Sequence, residues 1–330
     1  MDPHLERGET VLNNLARKEP LSLPVVFDDY LAGQISSGTR KVYERDILEI
    51  FGGKPSLDLL QSLDPARLVV WRNQAWDNGN GLAATTINRK LTALKSFLDH
   101  LVARGMLQVN PASPKLVRRI KEKRRAGARL GILKEELSAL LSACDIGADP
   151  KANARDRALI SLLYTCLLRR SEAEGIQWKH FEREGGRSLL RLPMTKGGAN
   201  DFVPVETRVI QQLDAYFQAM GGAATWVAYF GKPVLDCPVF LALDNGHRGE
   251  RLSDHGINEI VKKRAKIAGI QDISAHILRH SGITHLLMDG YSLADVQAMA
   301  RHSDPKQTME YALLIRRLMN SPGRSLAANL

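Results

Sequence analysis

Four side chains towards the C-terminal end of the sequence could act together on a phosphodiester. His276 and Arg279 lie three residues apart, so they share one face if 277–288 is helical, and His302 and Tyr311 follow. A guanidinium can hold two phosphate oxygens, and an imidazole can donate a hydrogen bond or transfer a proton near neutral pH. A phenol can attack phosphorus when its anion is favoured. Each residue alone is more often an ordinary core or surface residue, and only the combination indicates this chemistry.

Two segments that contain these residues resemble one family. Residues 275–287, AHILRHSGITHLL, look like the His-x-x-Arg-His-Ser signature of the tyrosine recombinases, the phage-integrase family, most of all its simple Xer/Cre-type members. Residues 301–314, RHSDPKQTMEYALL, are similar to that family's His-Ser to Tyr box. The order and spacing of the two boxes make the match specific. The resemblance implies that Tyr311 is a nucleophile.

Two further boxes of the same family have counterparts earlier in the chain. Residues 168–172, LRRSE, resemble the family's first arginine box, with Arg169 as its arginine and Glu172 as the acid that orients the site. Residues 195–205, TKGGANDFVPV, are similar to its hairpin lysine box, so Lys196 matches the lysine that protonates a leaving group. The resemblance therefore extends over every box expected of a complete site.

The sequence departs from the family pattern at two positions. Leu167 stands before the first arginine box where many members have glycine, and Arg301 stands before His302 where glycine is frequent. The second departure raises a question about the local backbone and not about the role of the imidazole. Arg170 competes with Arg169 because the two are adjacent, but the Ser-Glu register favours Arg169.

The resemblance implies a cut-and-rejoin reaction on DNA. The catalytic set carried over is Arg169, Glu172, Lys196, His276, Arg279, His302 and Tyr311. Tyr311 would form a 3′-phosphotyrosine, with His276 as proton acceptor or orienting group and Lys196 as the donor to the leaving 5′-hydroxyl. No cofactor or metal is implied. The partner would be a double-stranded DNA recombination site, bound as one dimer per site, and a homotetramer would exchange strands between two duplexes through a Holliday junction.

Composition agrees with a polyanionic partner. The chain has 330 residues, a net charge of +10, 44% hydrophobic and 25% charged residues, which is typical of a basic globular protein that binds nucleic acid. Its three scattered cysteines have no metal-ligand spacing and favour a reducing compartment. Neither a signal peptide nor an apolar run long enough for a membrane is visible. The expectation is a cytoplasmic, DNA-associated protein with no membrane partner.

The expected fold is mainly α-helical with a small β-sheet in the catalytic domain, in the two-domain architecture of the tyrosine recombinases. The predicted divisions are a loose N-terminus at 1–21, a helical core-binding (SAM-like) domain at 22–110, a basic linker at 111–129, and a catalytic domain at 130–330 with a tail at 312–330. Apolar periodicity predicts first-domain helices at 23–35, 39–51, 64–76 and around 87–101. In the second domain it predicts helices at 153–168, 277–288 and 293–300, and strands at 188–195, 200–205 and 239–242.

Basic residues in two places are candidates for DNA contact. Those on the polar face of the fourth helix are Asn88, Arg89 and Lys95. Those in the linker are Arg118, Arg119, Lys121, Arg124 and Arg125. A polar helix face is usually only solvated, and a charge run is usually a solvated linker. The family resemblance makes these residues candidates for phosphate or base contact.

Three other functions remain open at this point. A type IB topoisomerase shares the chemistry but rejoins the same strand; the compact size and helical first domain argue against it. A decayed recombinase could bind DNA as a regulator and never cleave, which the complete residue set disfavours. A basic protein with coincidental boxes is the third.

Overall fold

The computed structural model of the chain describes residues 23–34, 37–121, 131–192 and 201–302, together with Met309 and Leu313. The chain separates into two compact units, residues 1–126 and 127–330. Both units are mainly helical, as the sequence predicts, and the sheet lies in the second. Within the described ranges, no helix is both long and apolar enough to cross a membrane.

The first unit is a bundle of helices around one long central helix. Its helices are α1 (Leu23–Ala32), α2 (Ser37–Phe51), α3 (Leu57–Gln61), α4 (Pro65–Trp76) and α5 (Ala84–Ala103). The apolar positions that predicted α5 are all fully buried: Ile87, Leu91, Leu94, Leu98 and Leu101. Their spacing of three and four residues places them on one stripe, against which the other helices pack. Phe27 of α1 meets Phe97 of α5 edge to face, with ring centroids 5.1 Å apart.

Local sequence signals explain why the start of α4 was predicted and why helix α3 was not. Asp64 caps α4 by accepting a hydrogen bond from the Ala66 N–H at 2.9 Å, and Pro65 occupies the first helical position. Helix α3 was not predicted. It has five residues, and Leu60 is its one buried side chain, so it carries no readable periodicity.

The second unit packs its helices around α7. Its elements are α6 (Lys134–Ser142), α7 (Pro150–Thr165), α8 (Arg170–Gly175), β1 (Phe181–Glu184), β2 (Arg187–Arg191), β3 (Phe202–Pro204), α9 (Thr207–Ala219), α10 (Ala223–Phe230), α11 (Asp254–Ile267), α12 (Ala275–Met288) and α13 (Leu293–Ala300). Helix α7 is buried on most of its circumference, and Asp149 caps it with Pro150 next in line. The helices predicted at 277–288 and 293–300 are confirmed as α12 and α13, each capped by a serine hydroxyl.

The sheet has three antiparallel strands in the order β1-β2-β3. The predicted pairing of two strands before and after the glycine-rich turn is confirmed as β2 with β3, where Leu190 faces Val203. The additional strand, β1, pairs with β2 across the Gly185-Gly186 turn and was missed, because its four residues are largely polar. Residues 193–200, which follow β2 and precede β3 in the sequence, lie outside the described ranges.

The strand predicted at 239–242 is wrong. The structure has only two isolated bridges there, Gln177 with Pro238 and Leu241 with Arg251. The run 239–242 is apolar because it is buried on all sides. Its backbone hydrogen bonds go to two different segments, around Ile176 and around 249–252, so no continuous strand ladder forms. Burial without alternation does not distinguish a strand from other buried backbone.

Candidate active site

The first arginine box folds back on itself at the start of α8. The Arg169 backbone N–H donates to Glu172 Oε2 at 2.7 Å, and the Arg169 guanidinium donates to Oε1 at 2.6 Å. The Glu172 side chain is only 5% exposed, whereas that of Arg169 is 41% exposed. The carboxylate therefore anchors the arginine from beneath and leaves part of the guanidinium open to a ligand.

Glu172 stays ionised because of its cationic neighbours. Burial by itself raises the pKa of this carboxyl, but the charge of Arg301 and the hydrogen bonds and charge of Arg169 outweigh burial and lower the pKa. Arg301 Nη2 lies 2.9 Å from Glu172 Oε2, and Arg279 Nη1 lies 3.9 Å from the same oxygen. Three guanidinium groups thus surround one buried carboxylate.

Arg279 connects three elements from its position on α12. It is buried, and its two terminal nitrogens donate to the carbonyl oxygens of Leu167, after α7, and Ala300, at the end of α13. These contacts fix the arginine between the first arginine box and the turn that carries His302. His276 lies one turn earlier on the same helix, as the i, i+3 spacing predicts.

The two candidate imidazoles are held neutral. Burial, and after it the charges of Arg279, Arg169 and Arg301, lower the pKa of His302 to about 4. Burial and then the charges of Arg279, Arg170 and Arg169 also lower the pKa of His276. The His276 ring contacts the His280 ring, with their Nε2 atoms 2.7 Å apart. A neutral imidazole keeps one N–H donor and one lone pair, so it can orient a ligand oxygen or accept a proton.

The chemistry available here is the stabilisation of negative charge. Three guanidinium charges against a single carboxylate leave the site positive, and the imidazoles add polar atoms without adding charge. Such a preorganised cationic site stabilises an oxyanion that gains charge in a transition state. The structure brings the described members of the predicted set together. Arg169 and Arg279 both lie within 4 Å of Glu172, and they donate to the carbonyl oxygens of Arg301 and Ala300, next to His302. His276 lies one turn from Arg279 on α12.

Arg170 and Arg169 face different partners. Arg170 Nη2 lies 3.6 Å from Oδ2 of Asp254 on α11, whereas Arg169 binds Glu172. The charge of Arg170 nevertheless contributes to the lowered pKa of His276, so it lies near the site. The choice of Arg169 as the phosphate-binding arginine stays a prediction.

Arg301 belongs to the site although the sequence does not predict it there. In the sequence it is only a departure from glycine, yet its side chain is 5% exposed and ion-paired to Glu172. The one available signal was a positively charged residue at a position where glycine is frequent in the family that the sequence resembles. Lys196 and Tyr311 lie outside the described residues.

The candidate DNA-contact residues on α5 all have partners inside the first unit. The Asn88 amide clasps the Ile120 backbone, donating to its oxygen at 2.9 Å and accepting from its N–H at 3.0 Å. Arg89 pairs with the fully buried carboxylate of Asp46, and Lys95 pairs with Asp99 on its own helix. Asn88 therefore positions the basic segment that follows Pro111 and Pro114.

That basic segment is anchored by its backbone and apolar side chains. Val117 is fully buried, and the Arg118 carbonyl oxygen accepts a hydrogen bond from Arg72 Nη1 at 2.6 Å. The side chains of Arg118 and Lys121 are exposed, whereas burial lowers the pKa of the half-buried Arg119. Two further candidates from this run lie outside the described residues: Arg124 and Arg125.

Two family profiles cover most of the sequence. Residues 131–315 match the phage integrase family, and residues 26–105 match the phage integrase N-terminal SAM-like domain. The chain is 30% identical over 287 residues to tyrosine recombinase XerC of Xylella fastidiosa, which covers 85% of this chain and 87% of that protein. It is 29% identical over 280 residues to tyrosine recombinase XerC of Pelobacter propionicus, which covers 84% of this chain and 85% of that protein.

Solved structures share the fold. The Tn1549 transposon integrase in complex with a circular intermediate DNA has a TM-score of 0.66 at 17% identity, covering 87% of this chain and 93% of that one. XerH site-specific recombinase bound to palindromic difH substrate has a TM-score of 0.61 at 19% identity, covering 93% and 80%. A lambda integrase dimer bound to a COC′ core site has a TM-score of 0.63 at 17% identity, covering 88% and 95%. With matched profiles in both parts of the sequence, the chain belongs to the phage integrase family, the tyrosine recombinases.

Proposed function

We propose that this recombinase cleaves and rejoins DNA at a specific site through a covalent 3′-phosphotyrosine on Tyr311, and exchanges strands between two duplexes. The observation that supports the proposal most directly is the cationic site built on Glu172, in which Arg169 and Arg279 converge with two neutral imidazoles. Such a site suits a phosphodiester whose oxygens gain charge during attack.

Each residue of the set has a role in a balanced transesterification. The Tyr311 oxygen forms a bond to phosphorus as the bond to the 5′-oxygen breaks, and Lys196 gives that oxygen its proton. His276 accepts the proton of the Tyr311 phenol or orients the phenol for attack. The charge on the non-bridging oxygens is stabilised by Arg169, Arg279 and His302, and Glu172 orients the first arginine. Attack by a 5′-hydroxyl of another strand reverses the step, so the phosphodiester energy is conserved.

The partner is a double-stranded DNA recombination site, and the assembly is a dimer on each site and a homotetramer on two sites with a Holliday junction intermediate. The lambda integrase and XerH structures, which carry core-site and difH DNA, support a DNA partner for this fold. In this proposal the tail at 312–330 docks on a neighbouring subunit. Apart from Leu313, the tail lies outside the described residues. The reaction takes place in the cytoplasm, where the DNA is.

DNA contact in the first unit is assigned most directly to Arg118 and Lys121. Both side chains are exposed on a segment whose backbone is fixed by Arg72 and Asn88. Arg124 and Arg125 continue the same run in the sequence. Contacts to phosphates from these residues add affinity and carry no base information.

A covalent-trapping experiment tests the proposal. The purified protein is incubated with a library of nicked suicide duplexes, and adducts are detected by their slower migration and mapped by peptide sequencing. We expect an adduct at Tyr311 on a subset of sites, and the Tyr311→Phe variant should bind those sites and form no adduct. Binding without any adduct from the unmodified protein would favour the regulator. Relaxation of supercoiled plasmid without exchange between duplexes would favour the topoisomerase.

A further inference from the structure

Arg301 joins the segments that carry the candidate catalytic side chains. It lies between the end of α13 and His302, and its side chain is almost fully buried. Nη1 donates to the Met299 oxygen at 2.7 Å and to the Cys166 oxygen at 3.3 Å. Nη2 donates to the Leu167 oxygen at 2.8 Å, besides its bond to the carboxylate in the first arginine box. One planar guanidinium thus spans the ends of α7 and α13 and the carboxylate of α8.

The backbone of Arg301 is in a conformation that favours glycine. Its φ is +54° and its ψ is +46°, in the left-handed region where a Cβ is disfavoured. Strain of this kind persists where the surrounding structure holds it in place, and it is concentrated at functional sites. Glycine would fit this backbone better, so any advantage of arginine here has to come from its side chain.

The carboxylate of Glu172 shows what that side chain does. Oε1 of Glu172 receives the Arg169 guanidinium, whereas Oε2 receives the Arg169 backbone N–H and Arg301 Nη2. Arg279 lies farther away, at 3.9 Å. Without the Arg301 side chain, Oε2 would keep one close donor in a site where the carboxylate is buried, and an underpaired buried carboxylate is unfavourable.

Arg301 also contacts Arg169 through its backbone. Nη2 of Arg169 donates to the Arg301 carbonyl oxygen at 3.0 Å. The same residue therefore supports Arg169 twice, directly by its carbonyl and indirectly through the carboxylate, and its peptide bond leads into His302. Displacement of the Arg301 side chain would change the orientation of Arg169 relative to His302.

We propose that Arg301 is a positioning residue for strand cleavage: its guanidinium fixes Glu172, and thereby holds Arg169 in the orientation that acts with His302 on the phosphate. The inference rests on the proposed function, since it concerns the same site. It adds a residue that stands outside the set carried over from the family boxes, at a position where glycine is frequent in those boxes.

The test compares three variants in single-turnover cleavage of a suicide duplex at saturating protein. Arg301→Gly removes the side chain and fits the left-handed backbone, and Arg301→Lys keeps a charge without the planar fork. Arg157→Ala is the matched control. Arg157 lies in the same unit, and its partner is the exposed Asp145 and not a residue of the site. We expect Arg301→Gly to cleave about 10- to 100-fold more slowly, the range for a lost charge-assisted hydrogen bond. Arg301→Lys should recover part of the rate, and the control should cleave normally.

A pH profile separates positioning from simple destabilisation. The groups around Glu172 are Arg169, Arg301 and Arg279, and the Arg301 charge is the strongest influence that lowers the pKa of this carboxyl against burial. Without that charge the carboxyl takes up its proton at a higher pH. The acid limb of the cleavage rate should therefore move to higher pH in Arg301→Gly and less in Arg301→Lys. A loss of folded protein would lower the amplitude at every pH and leave the limb in place.

Each outcome decides one question. A normal rate and acid limb in Arg301→Gly would overturn the inference, as would a loss that only follows the folded fraction measured by thermal unfolding. If the glycine variant does not fold, Arg301→Lys decides, because normal cleavage with a folded lysine variant would show that the fork is not needed. An unmodified protein that forms no adduct, or a Tyr311→Phe variant that does, would instead contradict the proposed function.

Discussion

At the scale of single residues, Arg169 and Arg170 show how neighbours in sequence are separated by their partners. The Arg169 guanidinium is held by Glu172 and the Arg301 carbonyl oxygen, while Arg170 reaches towards Asp254 on α11. A guanidinium that is anchored on one side and exposed on the other can bind a phosphate with little loss of freedom. The exposed ion pair of Arg170 contributes little to stability by comparison.

Arg169→Ala is expected to lower the rate of adduct formation by about 10²- to 10³-fold, the usual effect of removing one preorganised donor from an oxyanion site. Arg170→Ala is the matched control, since it removes the adjacent guanidinium and should change cleavage much less. Single-turnover cleavage and DNA binding are measured for both variants. The reverse ranking would shift the register of the first arginine box by one residue.

The neutral state of His302 has a consequence for stability. Burial and the neighbouring arginines lower its pKa from 6.5 to about 4, so between these values the unfolded chain binds a proton that the folded chain does not. The free energy of unfolding then increases with pH across this window and falls on acidification. When the pH is lowered from 7 to 5, the melting temperature of His302→Gln should therefore fall less than that of the unmodified protein. His255→Gln, at an exposed position on α11, is the control and should behave like the unmodified protein.

At the scale of elements, the contact between α7 and α12 depends on one left-handed residue, Leu167, and one helical glycine, Gly282. Leu167, directly after α7, has a φ of +49°, and its side chain packs over Gly282 of α12. A Cβ on Gly282 would lie 2.3 Å from Leu167 Cδ2 and 2.9 Å from the Tyr164 oxygen. The same Leu167 carbonyl oxygen accepts from both Arg279 and Arg301, so this crossing positions the site.

Gly282→Ala should lower the free energy of unfolding by about 1–3 kcal/mol, because the added methyl overpacks the crossing. Leu167→Gly alone also costs stability, because it removes a buried side chain. It removes the nearer clash as well, so the loss in the double variant should be smaller than the sum of the two single losses, although the Tyr164 oxygen limits this relief. Chemical denaturation of the two single variants and the double variant measures the coupling. Strictly additive effects would contradict the packing account.

The helices that carry the site could be predicted from the sequence. Some of the segments and residues that pack against them could not. Helices α12 and α13 have capping serines and periodic apolar residues, so their positions could be read directly. The run 239–242 looked like a strand because it is apolar, but pairing depends on neighbours that are remote in sequence. Arg301 gave no periodic signal, and its role becomes visible only when α7, α8 and α13 meet.

At the scale of the whole molecule, the charge of +10 is informative only when it is located. Several basic residues of the first unit are paired internally: Arg89 with Asp46, Lys90 with Glu49 and Arg104 with Asp29. Exposed cations remain at Arg118 and Lys121, on the segment whose backbone Asn88 fixes. Net charge thus predicts a polyanionic partner, and the pattern of internal pairs indicates which cations remain available for it.

Charge reversal at Arg118 tests this assignment on the full chain. Because a phosphate contact releases condensed counterions, Arg118→Glu should weaken binding to cognate and unrelated duplexes by a similar factor. It should also reduce the slope of log affinity against log salt by about 1. Lys54→Glu is the matched control: it makes the same change in net charge in the first unit, at an exposed lysine near Asp28. If both variants weaken binding equally, the effect comes from net charge and not from a contact at Arg118. If only cognate binding falls, Arg118 reads bases and the segment contributes to site selection.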